Sequence, residues 1–398
     1  MCQNRILFYS HDAYGMGNIR RTLAICERLT QEIPDLAILI VTGSPVIHAL
    51  RIPDKVDYIK LPCLVRGKRE AFSSRFWDMS LRDLMHFRSE LILSAIKSFE
   101  PNLVVVDKKP VGIKREFLTA LRYLKVYLPD TKIVLGLRDI LDDPTTTIPI
   151  WKNNGYFEAI HDFYDQVWVY GDRNIFDAVQ EYQMPDTVAQ KAIFTGYIAK
   201  SPLTCDRRSV RTELGLNGGL FSLVMVGGGG DGFPIMKTYV EGIREGKKRL
   251  LESLLISGPE MPKRQRHEIE QSCSNGHPVQ FREFSDEIER MLTAADVVVS
   301  MGGYNSTCEI LSFRKRAVII PRILPVAEQY IRTKRLAELG LVNMIHPEDL
   351  TPGTLLETVE KTAVQDDLLV NLTDKIDLTG LQRITDLVKG LMARVPVS

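Results

Sequence analysis

The sequence predicts an α/β protein of two Rossmann-like domains, each built on a doubly wound parallel sheet. At 398 residues the chain is longer than one hydrophobic core usually supports. Short aliphatic and β-branched runs alternate with longer amphipathic stretches, which is the order of parallel strands covered by helices on both faces. The alternation restarts after residue 212 with a strand that runs into a glycine turn, so we expect two such domains.

In the first half, apolar strands with polar ends are separated by helices near residues 19–30, 80–99 and 114–127. The predicted strands are RILFYS (5–10), LAILIVTG (36–43), NLVVVD (102–107), KIVLGLRD (132–139), QVWVYG (166–171) and AIFTGYI (192–198). Apolar strands of this kind are typical of a sheet that is buried on both faces.

The second half repeats the pattern. FSLVMVGGGG (221–230) is a strand running into a turn, a helix follows near 233–245, and further strands are predicted at 249–259, 277–285, 295–303, 316–322 and 341–346. We expect a linker in the polar stretch 199–212, domains at 1–200 and 201–370, and a C-terminal helix within 371–398 that packs back on the first domain. Two halves joined once predict a cleft, where ligands of such sheets usually bind.

Composition excludes several classes of function. Lys and Arg total 51 against 50 Asp and Glu, so the chain has no bias towards nucleic acid. No apolar run is long enough to cross a bilayer, and MCQNR does not begin a signal peptide, so we expect a cytoplasmic protein. The six cysteines form no CxxC pair, which predicts neither a zinc site nor a disulfide framework.

The first strand leads into SHDAYGMGNIRR, residues 10–21. Gly15 and Gly17 lie where a dinucleotide fingerprint is found, but Arg20 replaces its third glycine, which argues against nicotinamide or flavin. Two glycines still allow a ligand to approach the backbone, and the amides of the following helix can receive an anion. Arg20 and Arg21 favour an anionic ligand at this end of a helix; alternatively they are solvated or pair with acidic residues elsewhere.

The second half contains VMVGGGGDG, residues 224–232, directly after a predicted strand. A turn without side chains can present several amides to phosphate oxygens, and the next helix adds its N-terminus. The stretch is not a P-loop, because no GK[ST] follows, and Asp231 would repel a phosphate unless it points away. We favour phosphate binding over a flexible connection.

Further along the chain, ADVVVSMGGYNSTCEIL (295–311) contains a second predicted glycine turn, followed by several polar residues. Gly302 and Gly303 form the turn, and Ser306 or Thr307 either caps the helix or, with Asn305, faces a ligand.

Three acidic or amide side chains in this half suit sugar hydroxyls. We expect Glu309 on the first turn of its helix, where a carboxylate can accept two hydrogen bonds from a ribose diol. In PRILPVAEQY, Glu328 and Gln329 either hold sugar hydroxyls or form an ordinary surface pair.

With these motifs in place, residues 283–340 resemble the GT-B glycosyltransferases, in particular the family 28 group that includes the peptidoglycan lipid II synthase. The resemblance implies an inverting, metal-independent hexosyltransferase that uses a nucleotide-diphosphate sugar, a UDP-sugar above all, without another cofactor. It also implies that Gly227–Gly230 and Gly303 face the diphosphate, that Phe284 lies beside the base, that Glu309 binds ribose, and that Glu328 and Gln329 contact the sugar.

The opening loop resembles a "predicted glycosyltransferase" branch of the same group, which begins with a GxGHxRR loop. Asn18 stands at the histidine that is proposed to assist acceptor deprotonation, and asparagine cannot take a proton at neutral pH. His11 is therefore the first candidate base, with Asp107 and Asp139 behind it, although a histidine at a strand end is often structural. The candidate donor-binding residues are Gly15, Gly17, Asn18, Arg20, Gly227, Gly228, Gly229, Gly230, Phe284, Gly302, Gly303, Asn305, Ser306, Thr307, Glu309, Glu328 and Gln329.

Two other functions stay open. A nucleotide-sugar 2-epimerase shares the two-domain plan, although the opening loop lacks the GTRPE-type start of those enzymes. A non-catalytic nucleotide-sugar-binding regulator is the second, because Asn18 removes the expected base.

The acceptor is not identified by the sequence. VRGKREAFSSRFWDMSLRDL (65–84) mixes basic and aromatic side chains, which favours an acceptor loop and also suits peripheral contact with an anionic lipid surface. The side chains concerned are Arg66, Lys68, Arg69, Phe72, Arg75, Phe76 and Trp77.

Overall fold

The chain folds into two compact units in the computed structural model. Unit 1 comprises Met1–Ile198 with Thr379–Ser398, and unit 2 comprises Ala199–Leu378. The structure describes residues 4–11, 17–66, 72–200, 205–216, 218–246, 251–273, 278–285, 287–366, 369 and 372–393. Within these ranges, none of the helices has the length and apolar character needed to cross a membrane.

Unit 1 is built on a seven-stranded parallel sheet. In chain order its strands are β1 (Asn4–Ser10), β2 (Leu36–Thr42), β3 (Val56–Lys60), β6 (Leu103–Asp107), β7 (Lys132–Arg138), β8 (Gln166–Tyr170) and β9 (Ala192–Phe194), while β4 (Leu64–Arg66) and β5 (Phe72–Ser74) form a separate antiparallel pair. The spatial order is β3-β2-β1-β6-β7-β8-β9, so β1 and β6 are neighbours at the point where the order reverses. Strand β3 was not predicted, because VDYIK at the sheet edge is only half-buried.

The helices of unit 1 cover this sheet. They are α1 (Gly17–Glu32), α2 (Leu81–Phe99), α3 (Leu118–Tyr127), α4 (Pro144–Asn153), α5 (Tyr156–Phe163), α6 (Ala178–Glu181), α7 (Asp186–Ala189) and, from the end of the chain, α16 (Gly380–Met392). Helix α16 belongs to unit 1, where its first amide, Gly380 N, donates to Tyr197 O (3.1 Å). A side chain at Gly380 would place its Cβ 2.5 Å from that oxygen, so the contact requires glycine.

Unit 2 has a six-stranded parallel sheet. Its strands are β10 (Leu220–Met225), β11 (Leu251–Ile256), β12 (Val279–Arg282), β13 (Val297–Ser300), β14 (Arg316–Ile319) and β15 (Asn343–Met344), in the order β12-β11-β10-β13-β14-β15. Its helices are α8 (Arg207–Glu213), α9 (Phe233–Glu245), α10 (Lys263–Cys273), α11 (Ile288–Ala294), α12 (Tyr304–Ser312), α13 (Glu328–Glu338), α14 (Pro352–Ala363) and α15 (Leu372–Lys375). The predicted α/β class with two doubly wound parallel sheets is confirmed.

Helix α8 corrects the predicted linker at 199–212. The Asp206 carboxylate accepts hydrogen bonds from the amides of Arg208 (3.3 Å) and Ser209 (3.0 Å), and so caps the helix. Arg207 and Arg211 pair with Asp296, which directly precedes β13. The second part of the predicted linker is therefore a helix of unit 2, and its arginines form ion pairs with Asp296 of the same unit.

Each sheet has one point where the strand order reverses, and this fixes where a ligand site is expected. In open α/β sheets, ligands bind beyond the carboxyl ends of the strands at such a point. In unit 1 the point lies between β1 and β6, where Tyr9 pairs with Val106. In unit 2 it lies between β10 and β13, where Met225 pairs with Ser300.

Candidate functional site

His11 directly follows β1 and is 8% exposed. Its ring hydrogen-bonds to the backbone of Asp107 at the end of β6, while Nδ1 has no partner among the described residues. Burial lowers the pKa of His11 well below its usual value, and the charges of Lys108 and Lys109 lower the pKa further. The ring is therefore neutral at pH 7, with a lone pair on Nδ1 that can accept a proton.

The second candidate base, Asp107, is held in a buried ion pair. Arg21 Nη2 lies 2.6 Å from Asp107 Oδ1 and donates to Asn18 Oδ1 at 3.3 Å. The Arg21 guanidinium also lies over the Tyr170 ring at 5.3 Å. Asp107 Oδ2 has no hydrogen-bond partner among the described residues. Of the alternatives for Arg21, the structure favours pairing with an acidic residue of the fold.

The other predicted residues of unit 1 have different surroundings. Asp139 is buried after β7 and accepts a hydrogen bond from Tyr197 Oη (2.9 Å). Gly17 is the exposed first residue of α1, and a Cβ there would meet no atom within 4 Å. Arg20 is half-buried in the same helix. Gly15 lies outside the described residues.

In unit 2 the glycine turn at 227–230 follows β10, as predicted. Gly229 has φ +91°, and a Cβ there would lie 1.9 Å from Ser257 O in the turn after β11, so only glycine fits. Gly229 N donates to Val226 O (3.3 Å). Among the described residues, the amides of Gly228 and Gly230 donate to no other group and are available to an anion.

A second glycine turn follows the neighbouring strand β13. Gly302 has φ +72°, and a Cβ there would lie 2.7 Å from Thr333 Oγ1. Helix α12 begins at Tyr304 with Gly303 at its N-cap, so neither Ser306 nor Thr307 caps it and both lie within the helix.

The early start of α12 also corrects the position of Glu309. This residue lies on the second turn of the helix rather than the first, and it is buried. Thr307 Oγ1, buried on the same helix, has no partner among the described residues. Asn305 is half-buried near the helix start. The polar residues of this stretch therefore lie on the first two turns of α12, with a register displaced from the predicted one.

Glu328 and Gln329 begin α13 and are both buried, which rules out the ordinary surface pair. Glu328 lies between two arginines, with Oε1 3.9 Å from Arg322 Nη2 and Oε2 3.8 Å from Arg332 Nη2. Gln329 Oε1 accepts a hydrogen bond from the Arg322 amide (3.0 Å). Phe284, by contrast, is half exposed after β12, where a ring can stack on a ligand.

Two residues of these sites were underestimated from the sequence. Arg21 holds Asp107, and Arg322 reaches Asp231 of the glycine turn with Nη1 3.1 Å from Oδ2. The position of Arg322 in the sequence could have indicated its role, because it is a cation at the end of the predicted strand 316–322, where ligands of such sheets bind.

Comparison with known proteins supports the resemblance. Residues 223–387 match the model of the glycosyltransferase family 28 C-terminal domain. A curated relative from Sulfurihydrogenibium sp., the UDP-N-acetylglucosamine–N-acetylmuramyl-(pentapeptide) pyrophosphoryl-undecaprenol N-acetylglucosamine transferase, is 33% identical over 148 residues. That alignment covers 35% of this chain and 41% of the relative, so the chain spans well under two thirds of the relative's length.

Solved structures resemble the whole chain. MurG of Acinetobacter baumannii matches with a TM-score of 0.62 and 13% identity over 97% of this chain and 99% of its own. The UDP-GlcNAc 2-epimerase of Neisseria meningitidis, bound to UDP-GlcNAc, matches with a TM-score of 0.62 and 12% identity over 98% and 99%. At these identities the likeness concerns the fold. The chain thus has the two-domain GT-B fold of these structures, and its residues 223–387 are similar to the C-terminal domain of glycosyltransferase family 28.

Proposed function

We propose that this chain is an inverting glycosyltransferase that moves a sugar from a UDP-sugar to an acceptor hydroxyl without a metal. The observation that carries the proposal is the pair of glycine turns, Gly227–Gly230 and Gly302–Gly303, which follow neighbouring strand ends at the reversal point of unit 2. Two buried carboxylates accompany the second turn: Glu309 lies on α12, the helix that follows the turn, and Glu328 begins α13 and lies beside Arg332, which donates to Gly302 O. The name of the curated relative, a transferase of UDP-N-acetylglucosamine, supports the choice of donor.

In this proposal unit 2 binds the donor. The amides of Gly228 and Gly230, which donate to no other group among the described residues, would stabilise the charge that develops on the leaving diphosphate, together with the N-terminus of α9. Phe284 would stack on the base, and Glu309 would accept hydrogen bonds from the ribose. Glu328 and Gln329 would orient the sugar.

Unit 1 would bind the acceptor and supply the base. In a single displacement, the acceptor oxygen bonds to the anomeric carbon as the bond from that carbon to the diphosphate oxygen breaks, so the configuration inverts. His11 Nδ1 would take the acceptor's proton, because the ring is neutral and this nitrogen has no partner among the described residues. The Asp107 backbone would hold the other ring nitrogen.

Nucleotide-sugar binding tests the donor half of the proposal. UDP-N-acetylglucosamine at a hundred times its Kd is expected to raise the free energy of unfolding by about 2.7 kcal/mol, seen as a higher Tm in calorimetry. Glu309→Ala should weaken binding about tenfold or more, because the ribose loses charge-assisted hydrogen bonds. Exposed Glu338 on α13 gives the control, Glu338→Ala, with unchanged binding. Failure of every UDP-, TDP- and GDP-sugar to raise Tm would contradict the proposal.

Products separate the transferase from its two rivals. The protein is incubated, without any acceptor, with the nucleotide sugar that raises its Tm. A transferase then gives at most slow hydrolysis, whereas an epimerase releases an epimeric nucleotide sugar. The epimerase is a real alternative because the N. meningitidis enzyme shares the fold. Tight binding without turnover on any extracted acceptor would instead favour the regulator.

The acceptor side offers a surface for an anionic lipid. Phe76, Trp77 and Phe87 are exposed, and the Trp77 and Phe87 rings lie 6.1 Å apart. Arg75 and Arg82 in the same stretch are also exposed, and the Arg75 guanidinium lies over the Phe76 ring at 5.4 Å. Lys68 and Arg69 of the predicted patch lie outside the described residues, and only the backbone of Arg66 is described. Aromatic side chains beside cations suit the headgroup region of a membrane, so we propose peripheral contact there.

Vesicle binding tests this contact. We expect the protein to sediment with vesicles containing phosphatidylglycerol, less so at high salt, and Phe76→Ser/Trp77→Ser to reduce the bound fraction severalfold because apolar insertion is lost. Val126 and Tyr127 are also exposed large apolar residues of unit 1, so Val126→Ser/Tyr127→Ser is the matched control. Equal loss in both variants would argue against this surface.

A further inference from the structure

Arg322 links the glycine turn of unit 2 to the segment after β14. Its Nη1 lies 3.1 Å from Asp231 Oδ2, and its Nη2 lies 3.9 Å from Glu328 Oε1. The Arg322 side chain is 26% exposed and that of Asp231 is 45% exposed. Arg322 Nε is buried and has no hydrogen-bond partner among the described residues. The guanidinium therefore lies at the edge of the turn with donor capacity left over.

The charges around the turn require a cation if a diphosphate is to bind there. Asp231 is part of the turn itself, and Glu260 borders it, because the Glu260 amide donates to Gly228 O (2.7 Å). A Cβ on Gly228 would lie 2.7 Å from Glu260 Oε2, so this carboxylate also reaches the turn. Two carboxylates beside the turn repel an anion that approaches it, unless a nearby cation compensates their negative charge.

The neighbouring cation, Arg332, is committed to the fold. It is fully buried, donates from Nη1 to Gly302 O (3.0 Å) and lies over the Tyr304 ring at 5.6 Å. Its other terminal nitrogen lies 3.8 Å from Glu328 Oε2. Arg332 thus holds the second glycine turn in place. Of the two arginines beside Glu328, Arg322 reaches solvent and Arg332 does not.

We infer that Arg322 is a diphosphate-binding residue of the donor site, which exchanges Asp231 for phosphate oxygens when the donor binds. The inference rests on the proposed function, because it needs the donor's diphosphate at the glycine turn. Arg322 pairs with Asp231 in this structure and so compensates the charge that would repel an incoming anion. An exposed ion pair of this kind is weak, so phosphate, which suits the planar guanidinium fork, displaces Asp231 readily.

The exchange has a consequence for specificity. A nucleoside without phosphates offers nothing for Arg322 to bind, so it gains no affinity from this residue. A diphosphate binds more tightly because of Arg322. The interaction with Arg322 becomes stronger as the bond to the sugar breaks, because negative charge grows on the leaving oxygen. Arg322 then contributes to both donor binding and kcat.

Calorimetric titration of the full chain with UDP and with uridine tests the inference. Arg322→Ala is expected to weaken UDP binding about tenfold to a hundredfold, because a charge-assisted interaction is lost, and to change uridine binding less than twofold. Arg322→Lys should recover part of the UDP affinity. Asp231→Asn should bind UDP at least as tightly as the unmodified chain, because Arg322 is kept and a repulsive charge is removed. Arg335→Ala, an exposed arginine on α13, is the matched control and should leave both affinities unchanged.

The outcomes distinguish this inference from the function on which it rests. If the unmodified chain binds neither UDP nor a nucleotide sugar, the proposed function fails. If it binds UDP but Arg322→Ala leaves the affinity unchanged, or weakens UDP and uridine equally, Arg322 is not a phosphate ligand while the proposed function stands. If Asp231→Asn, with an unchanged Tm, loses as much UDP affinity as Arg322→Ala, then the ion pair itself shapes the turn and the inference is overturned.

Discussion

Replacing His11 with glutamine is expected to lower kcat for sugar transfer about 10²–10⁴-fold, the usual contribution of a general base. Glutamine keeps a polar side chain after β1 but cannot take a proton at neutral pH. Donor affinity should stay within twofold, because the proposed function places the base, the diphosphate and the sugar of the donor on unit 2. Release of UDP in the presence of an acceptor gives kcat, and calorimetry gives the affinity.

The pH dependence of the reaction provides a second measurement on His11. If His11 is the base, its imidazole is active only when it is neutral, and its pKa lies well below the usual value of 6.5 because of burial and then the charges of Lys108 and Lys109. Activity of the unmodified chain should therefore persist below pH 6.5 and fall only as the pH passes the lowered pKa. The residual activity of His11→Gln should lack this decline.

Stability should depend on pH for the same reason. Below pH 6.5 the unfolded chain binds a proton at His11 before the folded chain does, so acidification favours unfolding by up to about 1.4 kcal/mol per pH unit. His11→Gln should remove this slope between pH 6.5 and 5, whereas replacement of exposed His48 by glutamine should not. If His11→Gln keeps near-normal transfer, His11 is not the base, and Asp107→Asn becomes the next variant to measure.

Replacing Glu116 with alanine is expected to lower the free energy of unfolding of unit 1 by about 3–5 kcal/mol, because it leaves a buried cation unpaired. Arg88 Nε lies 2.5 Å from Glu116 Oε2, and Arg88 Nη2 lies 2.9 Å from Oε1. Tyr9 Oη donates to the same Oε1 at 2.5 Å. Both charged side chains are fully buried.

Unit 1 can be followed separately by fluorescence. The three tryptophans of the chain, Trp77, Trp151 and Trp168, all belong to unit 1, so urea unfolding monitored by their emission reports this unit. Glu90→Ala, an exposed glutamate on α2, is the control and should change the free energy by less than about 0.5 kcal/mol. A loss below about 1 kcal/mol for Glu116→Ala would show that water or rearrangement solvates Arg88.

A double replacement distinguishes the unpaired charge from lost packing. Arg88→Met/Glu116→Leu removes both charges and keeps apolar volume, so it should recover much of the stability lost in Glu116→Ala. Recovery would show that the isolated cation caused the loss.

The fold class was predictable because a parallel sheet covered on both faces imposes continuous apolar runs. Strand β6, LVVVD, is buried at all five positions, and its run was visible in the sequence. Strand β3 and helix α8 carry no such run. One is a half-buried edge strand, and the other is stabilised by Asp206 and by pairing with Asp296, a residue far along the chain.

The sequence by itself determined the two doubly wound sheets and the glycine turns of unit 2, because strand periodicity and the absence of side chains are local properties. Tertiary structure alone decided the partners of the charged groups. Arg21 pairs with Asp107 across 86 positions, and Arg322 with Asp231 across 91. Such pairs depend on which strand ends become neighbours in the sheet, and strand order is set by packing of the whole unit rather than by any local pattern.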